Sequence, residues 1–305
     1  MASPLRAATR KSTLARTQTD QVAALLDVDV EPVPVETSAD RRPDTPIWDL
    51  GDRGAFVREV QAAVLDGRAD IAVHSAKDLP SETPEGLVIA AVPEREDPRD
   101  ALVGSTLENL PVGGRVGTGS VRRRAQLSWL RSDLTFGGLR GNIETRLDKA
   151  EDFDAIVVAY AALRRLGRTG AADEILDVDL LVPQVGQGAL AVECRADDER
   201  VQGILADADH GPSHVALEAE RAWLAELGGG CDRPVGAYAT VAADGTIRLT
   251  AMLASGDGRL MVRRHDEGRD AEELGRDLAR QIFERAGGAM LLDEASPAVV
   301  PVPDV

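Results

Sequence analysis

The sequence predicts an α/β protein with two lobes joined by two crossings and a small α+β domain at the C-terminal end. Three observations carry this. Helical stripes alternate with short apolar strands through the first two-thirds, the pattern of βαβ units and parallel sheets. Two segments without periodicity, Pro93–Arg99 and Pro183–Gly188, interrupt that alternation where a chain would pass between lobes. The last third changes to a run of strands followed by one helix.

The elements follow in order. Phe56, Val57, Val60 and Val64 recur at helical spacing and stop at Gly67, a C-cap. Strands follow at Ile71–Val73 and Val88–Val92, and then the charged, proline-flanked first crossing. Val116–Val121 is a Gly-rich turn into a helix with Val121, Ala125 and Leu127 inward. Leu134–Phe136 reads as a strand, Gly137–Asn142 as a loop, and Ile143, Leu147 and Ala150 as the next helix. Ala155–Ala159 is wholly apolar, as in a strand buried on both faces. The Gly-rich second crossing leads into strand Ala189–Glu193. Ala216, Ala219, Trp223 and Leu227 then form a helical stripe that ends at Gly228. Strands near Val235–Val241, Thr246–Leu253 and Leu260–His265 and a helix from about Ala271 to Arg285 complete the chain, with a Pro-rich end from Ser296 to Val305 read as frayed. The expected units are residues 1–95 with 188–210, residues 99–184, and residues 213–305.

Composition narrows the function. No apolar run reaches the roughly 20 residues that span a bilayer, and Met1–Arg10 lacks the apolar stretch of a signal peptide, so a cytoplasmic protein without a membrane partner is expected. A net charge of -17 opposes binding to the phosphate backbone of nucleic acid. Lysine occurs only at positions 11, 77 and 149, whereas Arg is abundant. Codon bias explains the Lys-to-Arg exchange, and the added acidic excess suggests a halophilic source. No helical stripe is left over for an interface, so a monomer is expected. The four histidines are scattered and neither Cys194 nor Cys231 belongs to a CxxC pair, which points to no metal site.

The segment Ile71–Pro80 is the most informative. An apolar strand runs directly into His74, Ser75, Lys77 and Asp78, and the carboxyl ends of strands are where open α/β sheets bind ligands. Lys77 and Asp78 are adjacent opposite charges, each expected to help the other stay ionised. A carboxylate there can steady a cationic intermediate or move a proton. The same residues also fit a capped helix start with an exposed ion pair. Three loops ahead of helices, Thr9–Ser12, Thr118–Arg123 and Arg140–Arg146, combine Arg with hydroxyls and free backbone N–H groups. Such loops grip carboxylates or phosphates, and together they imply a cleft for a polyanionic small molecule. Cys231 follows Gly228–Gly230 on a loop and is either an accessible nucleophile or a buried filler; Cys194, after a strand, fits the filler.

These motifs together resemble the porphobilinogen deaminase (hydroxymethylbilane synthase) family. The residues that carry the resemblance are Ala8–Ser12, Gly51–Val57, His74–Pro80, Asp97–Leu102, Gly117–Arg123, Arg140–Asn142 with Thr145 and Arg146, Val185–Ala189 and Gly228–Cys231, in the family's order. The resemblance implies two doubly wound lobes like periplasmic binding proteins, joined by a two-strand hinge with the active site between them. It implies a dipyrromethane cofactor attached covalently through Cys231, and Asp78 as the catalytic carboxylate. Arg10, Arg122, Arg123, Arg140 and Arg146 would bind acetate and propionate arms, with Ser12, Ser75, Lys77, Thr118 and Ser120 as further contacts. The implied reaction condenses four porphobilinogen molecules onto the primer with loss of ammonia and then releases a linear tetrapyrrole by hydrolysis. Lys11 stands where the family usually has Gly, and Arg53 where many members have Lys. The rival reading is a hinged solute-binding protein that takes a polycarboxylate without chemistry; a nucleotide-binding role for the Gly-Thr-Gly turn is weaker, because no Walker lysine accompanies it.

Overall fold

The computed structural model describes residues 4–37, 57–229 and 233–293. Cys231, Arg53 and most of the Gly51–Val57 motif therefore lie outside the described residues, as does the Pro-rich end. Two five-stranded sheets and one three-stranded sheet form the frame. The architecture is α/β, with two lobes on mixed five-stranded sheets and a small C-terminal domain on an antiparallel sheet.

In the first lobe β1 (Leu5–Arg10) pairs in parallel with β2 (Val30–Val35) and β3 (Ile71–Ser75). The returning strand β10 (Leu190–Arg195) lies antiparallel between β3 and β4 (Leu87–Ala91). The second lobe repeats this plan. There β6 (Arg115–Gly117) is parallel to β7 (Thr135–Gly137) and β8 (Ala155–Ala159), while β5 (Asp100–Val103) runs antiparallel between β8 and β9 (Glu174–Leu176). The sheets are thus mixed, where alternation of elements predicts parallel ones. The reason is the double crossing: β5 and β10 are the strands that enter a lobe from the hinge, so they run against the strands that lead toward it. The carboxyl ends of β1, β3, β6 and β7 consequently open on one cleft, with their following loops gathered there.

The cores follow the sequence pattern. Ile71 and Val73 face one side of the first sheet with Val192, and Ala72 faces the other with Val60 and Val64 of helix Arg58–Leu65. That helix ends before Gly67, whose φ of 70° supplies the left-handed turn the C-cap requires. Every residue of β8 is buried, as its composition predicts. Helix Val121–Leu130 departs from expectation. Ala125 and Leu127 are buried and Val121 is only half-buried, yet Arg122, Arg123 and Gln126 are buried with them.

The third domain packs helices Gly211–Glu226 and Ala271–Arg280 on β11 (Val235–Val241), β12 (Ile247–Ala254) and β13 (Met261–Gly268), with Trp223 fully buried among them. The helix predicted to reach Arg285 changes to a π-helical turn over Gln281–Arg285. The two crossings lie against each other: Glu96 N–H donates to the Gly188 carbonyl (3.2 Å). Gly188 has φ of 88°, and a Cβ there would overlap the Glu96 carbonyl, so only glycine fits. The third domain grips both crossings through buried Glu220. Its carboxylate accepts from Arg95 of the first crossing (2.5 Å), from Gly186 N–H of the second (2.7 Å) and from Ala239 N–H of β11 (2.8 Å).

Candidate active site

β3 delivers His74 and Ser75 to the cleft, and a single 3₁₀ turn, Ala76–Asp78, follows. Lys77 and Asp78 therefore do not begin an exposed helix; both are half-buried at the strand's carboxyl end. Asp78 lines an open pocket of about 420 Å³ together with Arg10, Ser12, Gln18, His74 and Ser75. The adjoining pocket, of about 450 Å³, is lined by Lys77, Ser120, Arg122, Gln184, Arg221 and Arg233 among others. Arg123, Arg140 and Arg146 complete the cluster electrostatically, since Arg123 and Arg146 act on Lys77 and Asp78 and Arg140 act on Arg146.

Each Arg-bearing loop is built as a helix start. Ser12 Oγ accepts from Ala15 N–H (3.3 Å) and Ser120 Oγ accepts from Arg123 N–H (3.4 Å), capping the helices Thr13–Ala23 and Val121–Leu130. Both hydroxyls spend a lone pair there and keep their hydrogen, which a carboxylate can take. Thr118 Oγ1 accepts from Ser120 N–H (3.1 Å) and Thr118 N–H donates to the Gly137 carbonyl (2.9 Å), which binds this loop to the one that carries Arg140. Asn142 caps the helix Ile143–Asp148, and Arg146 Nε donates to the Gly141 carbonyl (2.9 Å). Ser75 Oγ accepts from Gln18 Nε2 (2.7 Å).

Charge in the cleft is arranged by burial as much as by pairing. Burial and the nearby Arg123 charge push the Lys77 ammonium down to about 8, against the opposing pull of Asp78 and Asp100. Asp78 supports the Lys77 ammonium, as adjacent opposite charges should, but desolvation and the like charge of Arg123 outweigh that support. Burial, again with Arg123, pushes Arg146 down to about 10. Such cations favour an anionic ligand, which would restore the charge balance that burial upsets.

Arg122 and Arg123 serve in part a structural purpose that the loop motif did not reveal. Asp100, fully buried at the start of β5, accepts from Arg122 (2.7 Å) and from Nε and an amino group of Arg123 (3.0 and 2.7 Å). Arg122 also donates to the Val182 carbonyl (2.6 Å) and Arg123 to that of Val157 (2.9 Å). Burial acts to raise the Asp100 carboxyl, but the two guanidinium charges outweigh it and hold it well below the usual carboxylate range. Sequence reasoning also missed Arg165. It donates to the Gly188 carbonyl of the hinge (2.7 Å) and to Gln21 of the first lobe (3.3 Å), spanning the lobes. His74 and Glu193 form a further buried pair (3.0 Å), with Gln61 donating to both oxygens of Glu193. Among the described residues no group of His, Cys, Asp and Glu could hold a metal ion, and no helix is long and apolar enough to cross a membrane.

A family model described as "Porphobilinogen deaminase, dipyromethane cofactor binding domain" matches residues 5–203, and one described as "Porphobilinogen deaminase, C-terminal domain" matches residues 215–284. The chain belongs to the porphobilinogen deaminase family. A porphobilinogen deaminase from Brevibacillus brevis is 43% identical over 295 residues, covering 93% of this chain and 96% of that protein. Another from Acidothermus cellulolyticus is 48% identical over 305 residues, covering 95% and 91%. Among solved structures, the ligand-binding component of an ABC-type import system from Staphylococcus aureus aligns at 11% identity and a TM-score of 0.37 over 73% of each chain. Membership makes the chain an enzyme of tetrapyrrole biosynthesis with a dipyrromethane-binding domain. The cationic cleft suits such a cofactor: Arg10, Arg122, Arg221, Arg233 and the Lys77 ammonium line its two pockets, and desolvation holds the Lys77 and Arg146 cations below their usual values, a cost that an anionic arm offsets.

Proposed function

We propose that Asp78 is the catalytic carboxylate of a stepwise deaminating condensation of porphobilinogen, carried out in the cleft between the lobes. The observation that carries this reading is the position of Asp78. It closes the turn after β3 and lines the same pocket as Arg10 and Ser12, with Lys77 and Arg146 within electrostatic reach. When bound through Cys231, the dipyrromethane supplies the terminal pyrrole carbon onto which each new unit is joined.

The chain's own residues do the rest. Loss of ammonia from porphobilinogen develops positive charge on its pyrrole, and the Asp78 carboxylate, fixed by the 3₁₀ turn, stabilises that charge where it forms. The carboxylate can also receive the proton that leaves the pyrrole ring after each bond is made. Arg10, Arg140 and Arg146 neutralise the acetate and propionate arms, whose number grows with each condensation. Arg122 and Arg123 add the N–H groups not engaged by Asp100 and the two backbone carbonyls. Ser12, Ser75, Thr118 and Ser120 orient the arms through hydroxyl hydrogens and the N–H groups of their helix starts. Lys77 contributes a single ammonium beside Asp78. Four condensations followed by attack of water release one hydroxymethylbilane. The first lobe, residues 1–95 and 188–210, brings Asp78; the second, 99–184, brings most of the arginines; residues 213–305 bring Cys231. We take the enzyme to act as a cytoplasmic monomer.

Incubation with porphobilinogen tests the reading against a solute-binding role. Release of ammonia together with a linear tetrapyrrole supports the enzyme, and stoichiometric binding without consumption supports the binding protein.

A further inference from the structure

We propose that Gln187 is a positioning residue: its buried carboxamide, on the second hinge crossing, holds the Lys77 ammonium in register with the Asp100–Arg122–Arg123 cluster of the opposite lobe. This rests on the assignment of the cleft as the carboxylate-binding site and adds to it the part that couples the two lobes.

The orientation of the amide is fixed by its partners. Gln187 Nε2 lies 2.7 Å from the Pro98 carbonyl and 2.8 Å from Asp100 Oδ1. Both are acceptors, so that end must be the NH₂ group and the oxygen must point the other way. Oε1 then faces Lys77 Nζ at 3.4 Å. The side chain is fully buried, so no water substitutes for these bonds. The backbone is held as closely: the Gln187 carbonyl accepts from Arg95 Nε (2.9 Å), and Gln184 donates to the Lys77 carbonyl (3.1 Å). A Cβ on Gly186, which has φ of 71°, would stand 2.9 Å from the Ala76 carbonyl carbon and 3.0 Å from Lys77 N. The crossing thus lies directly on the turn that carries Lys77 and Asp78.

The surroundings explain why a neutral acceptor matters there. Asp78 faces Lys77 from its own turn, Asp100 from β5, Arg123 from helix Val121–Leu130 and Arg146 from helix Ile143–Asp148. Arg122, Arg221 and Arg233 line the same pocket. Cations outnumber anions, and both oxygens of Asp100 are engaged by arginine. The Gln187 oxygen therefore gives the ammonium an acceptor that belongs to neither lobe, and a hinge movement that shifts Gln187 shifts Lys77 with it.

The chain's three lysines make the test direct. Full-length protein labelled with ¹³Cε-lysine gives three NMR signals, with exposed Lys11 and Lys149 as references and Lys77 assigned by Lys77→Arg. The Lys77 signal of the wild type is expected to titrate near pH 8, below those of the two references. Gln187→Met, which keeps length and removes the acceptor, lowers that midpoint by about one pH unit, a tenfold loss of proton affinity. Gln187→Glu, which places a carboxylate opposite the ammonium, raises it by a similar amount. A merely structural glutamine would not give opposite displacements. A Gln187→Met midpoint equal to or above that of the wild type, or a Gln187→Glu midpoint that does not rise, overturns the proposal; if Gln187→Met does not fold, Gln187→Glu decides alone. The titration needs no turnover, so its failure leaves the assignment of the cleft standing, and failure of that assignment shows separately in the porphobilinogen incubation.

Discussion

Replacing Asp100 by Asn removes the one carboxylate between two buried guanidiniums and leaves the shape of the site nearly intact. In the folded protein Asp100 is fully buried, and Arg122 and Arg123 are only 3% and 5% exposed. Asn retains one acceptor oxygen, but four donated hydrogen bonds from Arg122, Arg123 and Gln187 lose their charged partner. Leaving buried charge without its counter-charge costs about 3–5 kcal/mol. With a urea dependence of about 3 kcal/mol per molar, near the upper end for a single domain, the midpoint for the second lobe falls by roughly 1 M or more. The pH dependence has a definite sign. The folded carboxyl lies below its unfolded value, so its contribution is present above about pH 4 and fades only as pH falls toward the folded value. Wild type and variant therefore differ most at neutral pH and converge in strong acid. Asp97→Asn is the internal control. Its partner Arg99 keeps 38% of its side chain exposed, so the same chemical change three residues away leaves a charge that water can reach and costs clearly less than Asp100→Asn. Urea unfolding followed by tryptophan fluorescence and circular dichroism measures both variants. An Asp100→Asn protein within about 1 kcal/mol of wild type at pH 7 would show that Asp100 does not carry the charge balance of Arg122 and Arg123.

Three further outcomes follow from the same geometry. Asp78→Ala, which alters a half-buried side chain at a pocket wall, leaves the unfolding midpoint within about 1 kcal/mol while reducing porphobilinogen turnover at least a hundredfold; more than a tenth of wild-type turnover would exclude its catalytic role. Gly188→Ala puts a Cβ onto the Glu96 carbonyl at a positive φ and is expected to cost more than about 1 kcal/mol and to loosen the hinge, read as faster proteolysis at the crossings. Cys194 is fully buried, and burial pushes its thiol up to about 11, so in the native protein at pH 8 iodoacetamide leaves it unmodified; alkylation there before unfolding would contradict its place in the core.

Much of this architecture was legible in the sequence because the signals are local. The strand running into His74–Asp78, the Gly67 stop and the Arg-bearing loops ahead of the helices at Thr13, Val121 and Ile143 each act within a few residues. Strand direction was not legible, since alternation of apolar residues is the same whichever way a strand runs; β5 and β10 are reversed by the double crossing, a property of the whole chain. The partners of buried polar groups were hidden for a related reason. Asp100 meets arginines 22 and 23 positions later and a glutamine 87 positions later, and Glu220 meets an arginine 125 positions earlier. An Arg-Arg pair at a helix start reads equally as a ligand grip and as half of a buried ion cluster. Here Arg122 and Arg123 are built to hold the site together before they touch any ligand. The place of Lys77 and Asp78, and the support that Asp78 gives the ammonium, were legible; the desolvation and the approach of Arg123 that outweigh this support arise only in the fold and were not.

Covalent attachment of the dipyrromethane through Cys231 is tested most directly by intact-protein mass spectrometry of the denatured chain, followed by mapping of the peptide that contains Cys231. An added mass equal to two linked pyrrole units is expected on that peptide, and its loss in Cys231→Ser. A chain that turns over porphobilinogen while this peptide stays unmodified, or that carries the adduct on another residue, would contradict that attachment.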